Sequence, residues 1–275
     1  MSILICPVCG NPLSETPNQY RCPDGHCFDR AKSGYVNLLL SSGKHTKLPG
    51  DNKMMVASRK AFLDKGYYRP LADALCQAVL PLLPRVGGTL LDAGCGEGYY
   101  TQRLAEEAEA AGQQLATTGV DISKFALDKA ARRRKDICFA AASVFHLPIA
   151  TASYNLVTTL FAPWCGEEMI RVLKPGGWLA MVIPGPKHLW ELKEAIYDQP
   201  YENEVRDYQL EGFAFQQRIP VEGEIFLDNN PDIQSLFQMT PYYYKTSAEG
   251  QQRAAALKEL TTRIQFEILL YTRNG

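Results

Sequence analysis

Along the first 38 residues, apolar positions are scattered among Cys, Pro and Gly and form few long runs. The next stretch, 41–53, is mostly polar and reads as a linker. Helical spacing then begins: Met55, Phe62 and Leu63 share one face, and Gly66 marks its end. Pro70 opens a second helix whose apolar stripe is Leu71, Leu75 and Val79. From Thr89 the pattern changes. Short apolar runs at 89–93, 115–120, 137–142, 154–160 and 178–183 predict strands, with helical stretches between most of them, such as 123–134 and 167–173. Two further runs, 213–219 and 263–273, bring the expected strands to seven. Strands alternating with helices form a parallel sheet covered on both faces. The expected fold is therefore α/β and Rossmann-like over 71–275, preceded by a small module over 1–40 and a linker and helix over 41–70.

Hydrophobic residues make up 46% of the 275, enough to bury a core. No run of about 18 apolar residues is present to span a membrane. Cys6 and Pro7 interrupt any signal-like start. A cytoplasmic protein without a membrane partner is expected. The formal net charge of -1 does not by itself point to nucleic acid. Its distribution does change the picture. Residues 1–60 carry eight Lys and Arg against four Asp and Glu, a net of +4, so a polyanion should prefer that end. In a reducing compartment the eight Cys should not be disulfides.

The chemistry begins at Asp92-Ala93-Gly94-Cys95-Gly96-Glu97-Gly98-Tyr99, which runs from a buried strand into a helix. Its glycines allow a tight turn and close approach of a ligand. A phosphate loop would end in Gly-Lys-Ser/Thr, which is absent. The dinucleotide fingerprint needs a Gly where Tyr99 stands; here the third Gly comes one residue early. The tight Gly-x-Gly-x-Gly resembles motif I of class I methyltransferases, where the loop wraps the amino-acid end of S-adenosylmethionine. Asp121 closes the second strand, where a carboxylate can accept both ribose hydroxyls. Its other reading is a helix N-cap, for which Ser123 is better placed. Ala142 and Ser143 end the third strand, the adenine position of this fold. Residues 172–177, Val-Leu-Lys-Pro-Gly-Gly, resemble the turn before strand five of such enzymes and serve as a tight turn.

Cys6-Pro-Val-Cys9 and, twelve residues on, Cys22-Pro-Asp-Gly-His26 have the form of two metal knuckles. Thiolates and imidazole suit Zn²⁺, and four protein ligands make the site structural. Cys27 competes with His26 for the fourth place. The bland alternative is a set of buried free thiols, but the segment is too short for a core of its own and needs a staple. Metal removal should unfold this module and leave cofactor binding intact.

Three stretches go further: 32–39, Lys-Ser-Gly-Tyr-Val-Asn-Leu-Leu; Pro49-Gly50-Asp51 with Met54-Met55; and 62–68, Phe-Leu-Asp-Lys-Gly-Tyr-Tyr. With the knuckles and 96–100, Gly-Glu-Gly-Tyr-Tyr, the chain resembles the large-subunit rRNA guanine-N1-methyltransferases, the RlmA family, over nearly its whole length. The resemblance implies methylation of a guanine in a 23S rRNA hairpin by a homodimer with its zinc modules near the RNA. It matches Cys6, Cys9, Cys22 and His26 to the zinc ligands. It places Tyr68, Gly98, Tyr99, Tyr100, Thr101 and His188 at the cofactor, beside Gly94, Cys95, Gly96, Glu97, Asp121 and Ser143. Without it, Tyr68 reads as a core aromatic and His188 as a surface residue opening a helix. Tyr67 stands where the family often has His, and Phe161 where it often has Tyr. Arg132-Arg133-Arg134-Lys135 reads as a solvated helix end favourable to the helix dipole, with RNA contact the sharper alternative.

Methyl transfer from a sulfonium is an in-line displacement, so the protein's main task is alignment. Guanine N1 must also lose a proton, to a base or water; the sequence assigns no catalytic residue to that role. Phe161, at the end of the fourth strand, is expected to stack on or border the base. Two other functions fit parts of the pattern. A small-molecule methyltransferase with a zinc ribbon for assembly would turn over without RNA. An RNA-binding protein with an inactive methyltransferase domain would bind without turnover. The +4 charge of residues 1–60 favours RNA, and the intact glycine loop with Asp121 favours activity.

Overall fold

The structure is a computed structural model describing residues 3–40, 49–204 and 208–275. In chain order the elements begin with β1 Ser14–Glu15, β2 Gln19–Arg21, β3 Cys27–Asp29 and β4 Val36–Asn37. Next come α1 Lys53–Asp64, α2 Arg69–Val79, β5 Gly88–Ala93, α3 Tyr99–Ala110, β6 Leu115–Asp121 and α4 Lys124–Arg133. Then follow β7 Cys138–Ala141, β8 Tyr154–Leu160, α5 Gly166–Val172, β9 Leu173–Pro184 and α6 Trp190–Ile196. The last are β10 Phe213–Leu227, α7 Asn230–Gln238, α8 Tyr242–Lys245, α9 Ala248–Ala256 and β11 Leu260–Arg273.

One sheet has the order β10-β11-β9-β8-β5-β6-β7-β4. From β9 through β4 neighbouring strands run parallel, and β10 and β11 pair antiparallel. The central strands bury both faces by alternation, whereas much of the edge strand β10 is exposed. Leu90 and Leu156 join one hydrophobic cluster, while their neighbours Leu91 and Val157 join the cluster on the opposite face. The seven expected strands are all present. The eighth, β4, comes from the N-terminal segment: Val36 and Asn37 lie against Ala140 and Ala141. β10 runs past its expected end at 219 because it is an edge strand. Pro220, in register with Glu267, is tolerated at such an edge.

The N-terminal segment is stitched to the sheet rather than tethered to it. Ile5 N donates to Pro148 O at 2.9 Å, Ala150 N to Ile3 O at 2.9 Å, and Leu38 N to Ala141 O at 2.9 Å. Leu4, Cys6, Leu13, Tyr20 and Cys22 share a hydrophobic cluster with Leu91, Val120 and Val157 of the sheet. Residues 41–48 of the expected linker lie outside the described residues. Residues 49–52, read from composition as more of it, are packed. A β-carbon on Gly50 would come within 2.7 Å of Ile122, Asp51 O accepts from Ser123 Oγ at 2.7 Å, and Asn52 caps α1 by accepting from Met55 N at 3.0 Å.

Candidate functional site

After β5 the chain moves outward through β6 and β7, then returns to place β8 on the other side of β5. Ligands of open parallel sheets bind at such a reversal, outside the carboxyl ends of the strands. Gly94 follows β5, Asp121 ends β6, Ser143 follows β7, Phe161 follows β8 and His188 follows β9. Apart from Tyr68, which precedes α2, the expected cofactor residues thus come from the carboxyl ends of neighbouring strands.

Gly94, Gly96 and Gly98 all have positive φ, at 88°, 56° and 84°. A β-carbon on Gly94 would overlap that of Ala162, and one on Gly98 would lie 2.8 Å from Ala130 Cβ. At Gly96 the nearest atom is Arg59 Nη1, 3.7 Å away, so this point of the loop is open. Gly96 N donates to Asp121 Oδ2 at 2.8 Å, and Ser123 N donates to Asp121 Oδ1 at 2.7 Å. Ser123 Oγ caps α4, so Asp121 is not the cap. Burial raises the proton affinity of Asp121, and the two amides oppose that rise. The hydroxyl of Tyr100 is buried and has no hydrogen-bond partner among the described residues. An open glycine turn, a carboxylate at the strand end and an unmatched buried hydroxyl fit the polar nucleoside and amino-acid ends of S-adenosylmethionine.

A second group gathers around Phe266. Phe266 of β11 has its ring 4.9 Å from that of Tyr68, 4.4 Å from His188 and 5.6 Å from Phe161. His188 is 6% exposed, not a surface residue. Burial, helped by Lys193, pushes its pKa down to about 3, so the ring is neutral. Its Nδ1 accepts from Gln265 N at 3.2 Å, which leaves the proton on Nε2. Nε2 then donates to the Tyr68 hydroxyl oxygen at 3.2 Å. The buried phenol, its pKa raised, keeps its own hydrogen to donate. Phe161 is 49% exposed and sits at φ 55°, a strained backbone for a non-glycine residue. Tyr67 faces elsewhere: its hydroxyl donates to Asp232 at 2.7 Å.

Several side chains around the loop hold the frame. Thr101 Oγ1 and Thr158 Oγ1 donate to buried Asp92, at 2.5 and 3.1 Å, tying α3 and β8 to the end of β5. Burial lifts the Asp92 pKa to about 6. Composition gave no sign of this clamp beyond an acidic residue before the loop. Glu97 pairs with Arg133, which also pairs with Asp64. Tyr99 packs edge-on against Tyr100, Cys95 is buried, and Ser143 Oγ accepts from Phe145 N at 3.2 Å. Arg132 pairs with Asp128, Arg134 with Asp136 and Glu109, and Lys135 donates to Ser33 O at 2.9 Å. This basic run therefore serves internal contacts.

In the N-terminal segment, each knuckle turns on a glycine of positive φ, Gly10 at 76° and Gly25 at 85°. Their amides donate to Cys6 O and Cys22 O. The donor atoms of Cys6, Cys9, Cys22 and His26 all lie within 4.8 Å of one another. Cys9 Sγ is 3.7 Å from Cys22 Sγ, and Cys22 Sγ is 3.3 Å from His26 Nδ1. Those spacings match the edges of a tetrahedron with bonds of about 2.0 to 2.3 Å, as zinc requires. Cys27 begins β3 with its thiol turned to Gly25 O at 3.4 Å, outside the cluster.

Residues 4–47 match the family described as RlmA, N-terminal, and residues 84–218 match a methyltransferase domain family. A 23S rRNA (guanine(748)-N(1))-methyltransferase of Streptomyces fradiae is 38% identical over 199 residues, covering 70% of this chain and 67% of its own. The Bacillus subtilis protein YxjB, named among the 23S rRNA (guanine-N(1)-)-methyltransferases, is 28% identical over 277 residues, 98% of this chain and 96% of its own. Among solved structures, a chain from the complex between the Haloferax volcanii Trm112 methyltransferase activator and a methyltransferase has a TM-score of 0.50 at 18% identity. The match covers 82% of this chain and 100% of that one, and it speaks to the fold.

Sheet, loop and matches define a class I methyltransferase with a zinc ribbon, whose cofactors are S-adenosylmethionine and zinc. Within that class, the chain belongs to the family of 23S rRNA guanine-N1-methyltransferases. No helix among the described residues is long and apolar enough to cross a membrane.

Proposed function

We propose that this enzyme methylates N1 of a guanine in a hairpin of 23S rRNA, as a cytoplasmic homodimer. One observation carries the reading: a metal cluster of the RlmA type is stitched into the same sheet whose carboxyl edge bears the cofactor loop. In this reading 1–40 is the RNA-recognition module, 41–70 connects, and 71–275 is the methyltransferase domain. Cys6, Cys9, Cys22 and His26 hold the zinc, which fixes the module's shape.

When bound, S-adenosylmethionine supplies an electrophilic methyl group on a sulfonium. Asp121 would accept the ribose hydroxyls, exchanging part of its bond to Gly96 N. Gly94, Cys95, Gly96, Glu97 and Gly98 would contribute backbone, since the Glu97 side chain is held by Arg133. Tyr99, Tyr100 and Thr101 set the first turn of α3 against the cofactor, Ser143 borders the adenine, and Tyr68 donates through a hydroxyl fixed by His188. The exposed ring of Phe161 would stack on the target guanine and align N1. The basic N-terminal segment would grip phosphates, so RNA binding should weaken steeply with salt.

Methylation at N1 blocks the Watson–Crick edge and halts reverse transcriptase. Primer extension along 23S rRNA from a strain lacking the gene should lose one stop, and purified enzyme with S-adenosylmethionine should restore it. An unchanged stop pattern would overturn the assignment.

A further inference from the structure

Arg59 lies over the open point of the glycine loop, and nothing above gives it a role. It belongs to α1, well before the sheet in sequence. Its Nη1 is 3.7 Å from where a β-carbon on Gly96 would stand. Asp51 pairs with Nη1, and Nη2 donates to Met239 O at 3.2 Å. Asp51 is itself pinned, its carbonyl accepting from Ser123 Oγ next to Asp121. The guanidinium is thus held from two sides over the loop. A guanidinium carries five N–H groups, and its bonds among the described residues use two of them. The same cation lowers the proton affinities of Asp121 and Tyr100, which burial alone raises.

A positioned guanidinium with unused donors is a carboxylate receptor. Without its charge, the carboxylates of Asp51 and Asp121 would face any anionic group brought to Gly96. We infer that Arg59 binds the α-carboxylate of the cofactor's amino-acid end, and that Asp51 positions it. The inference rests on the S-adenosylmethionine site proposed above. It also gives the Pro49-Gly50-Asp51 stretch a task. A side chain on Gly50 would strike Ile122 and Ser123, so only glycine lets the strap lie flat enough to deliver Asp51.

Two probes separate this role from a structural one. S-adenosylhomocysteine carries the carboxylate, and 5′-methylthioadenosine keeps the adenosine and sulfur but lacks the amino-acid end. By calorimetry, Arg59→Gln should weaken S-adenosylhomocysteine binding about 10- to 100-fold, the range of a lost charge-assisted hydrogen bond. Methylthioadenosine affinity should stay unchanged. Arg59→Lys keeps the charge but not the fork and should show a smaller preferential loss. Should Arg59→Gln fail to fold, the ratio of the two affinities in Arg59→Lys decides. Equal weakening of both ligands, or of neither, would overturn the inference while leaving the cofactor site standing. A wild-type chain that binds neither ligand would instead sink the cofactor reading, and this inference with it.

Discussion

Four metal donors lie between residues 6 and 26, on two knuckles that each close within a few residues. The groups around Gly96 come from residues as far apart as Arg59 and Asp121, and meet only because α1 packs over the carboxyl ends of a sheet of eight strands. The first cluster holds its own geometry once metal is present. The second has no geometry without the packed sheet. The difference predicts which perturbations stay local. Damage at the cysteines should loosen β4, its partner β7 and the sheet face that Leu4, Cys6 and Cys22 cover, whereas damage under the glycine loop should reach both cofactor and core.

Metal removal gives the largest expected effect. Chelation, or Cys22→Ser, forfeits on the order of 10 kcal/mol of binding free energy from a module that has few apolar residues of its own. Residues 3–40 should become protease-sensitive, and bound zinc should vanish from elemental analysis. Hydrogen exchange in β7 should accelerate as Val36 and Asn37 let go of Ala140 and Ala141. Affinity for S-adenosylhomocysteine should change by no more than about threefold, because Gly96 and Asp121 lie inward of β7. A large loss would mean that the two regions are one cooperative unit.

On the sheet side, Gly94→Ala is the counterpart. It forces a β-carbon onto Ala162 at a φ of 88°, strain and overlap together costing about 4 kcal/mol. Urea unfolding should show that loss together with at least about hundredfold weaker cofactor binding, while zinc content stays at wild-type level. Gly96→Ala faces only the guanidinium of Arg59, so it should cost less stability.

Acid should next divide the sheet's aromatic wall from the rest. An unfolded imidazole titrates near 6.5, but folded His188 resists protonation down to about 3. Between those values the unfolded chain binds the proton and the native chain does not. Stability is therefore lost as pH falls through this window, by on the order of 3 kcal/mol from pH 7 to pH 4. The difference in urea midpoint between wild type and His188→Gln across that range isolates the contribution. A parallel pH dependence in the two proteins would show that the burial of His188 is not what resists the proton.

What could be read from the sequence follows the same division. Cys6, Cys9, Cys22 and His26 were legible because their geometry is written in short spacings; spacing left Cys27 open, the family resemblance chose His26, and the structure turns the Cys27 thiol away. The glycine loop and Asp121 were legible because turn chemistry and strand ends are local signals. β4 was not, since two residues carry no periodicity. Nor were the Asp92 clamp, the Arg59–Asp51 pair or the place of Phe266 beside His188, because each depends on partners brought together by topology. Without the family resemblance, which set His188 at the cofactor, it reads as a surface residue opening a helix; the strand β11 packed over it is what buries it.

Two smaller effects then probe the carboxyl edge itself. Asp121→Asn removes the charge that accepts hydroxyls and turns an NH2 donor toward the amide of Gly96 or Ser123, so it should weaken S-adenosylhomocysteine by about 2 kcal/mol, roughly 30-fold, and cost about 1 kcal/mol of stability. Phe161 gives the finest test, because its ring is half exposed and packs at an angle against Phe266. Base stacking on an aromatic contributes roughly 1–3 kcal/mol by alanine substitution, and a half-exposed ring belongs at the low end. Phe161→Ala should therefore reduce kcat/KM on a 23S hairpin about fivefold to tenfold, with cofactor affinity unchanged. Phe161→Tyr should retain wild-type rates, since stacking needs the ring and not a hydroxyl. Single-turnover methylation of the hairpin measures both. If Phe161→Tyr raised the rate sharply, the ring at φ 55° would be serving proton transfer or hydrogen bonding at guanine N1. The carboxyl edge would then contain a chemical group where the present geometry supplies only a surface.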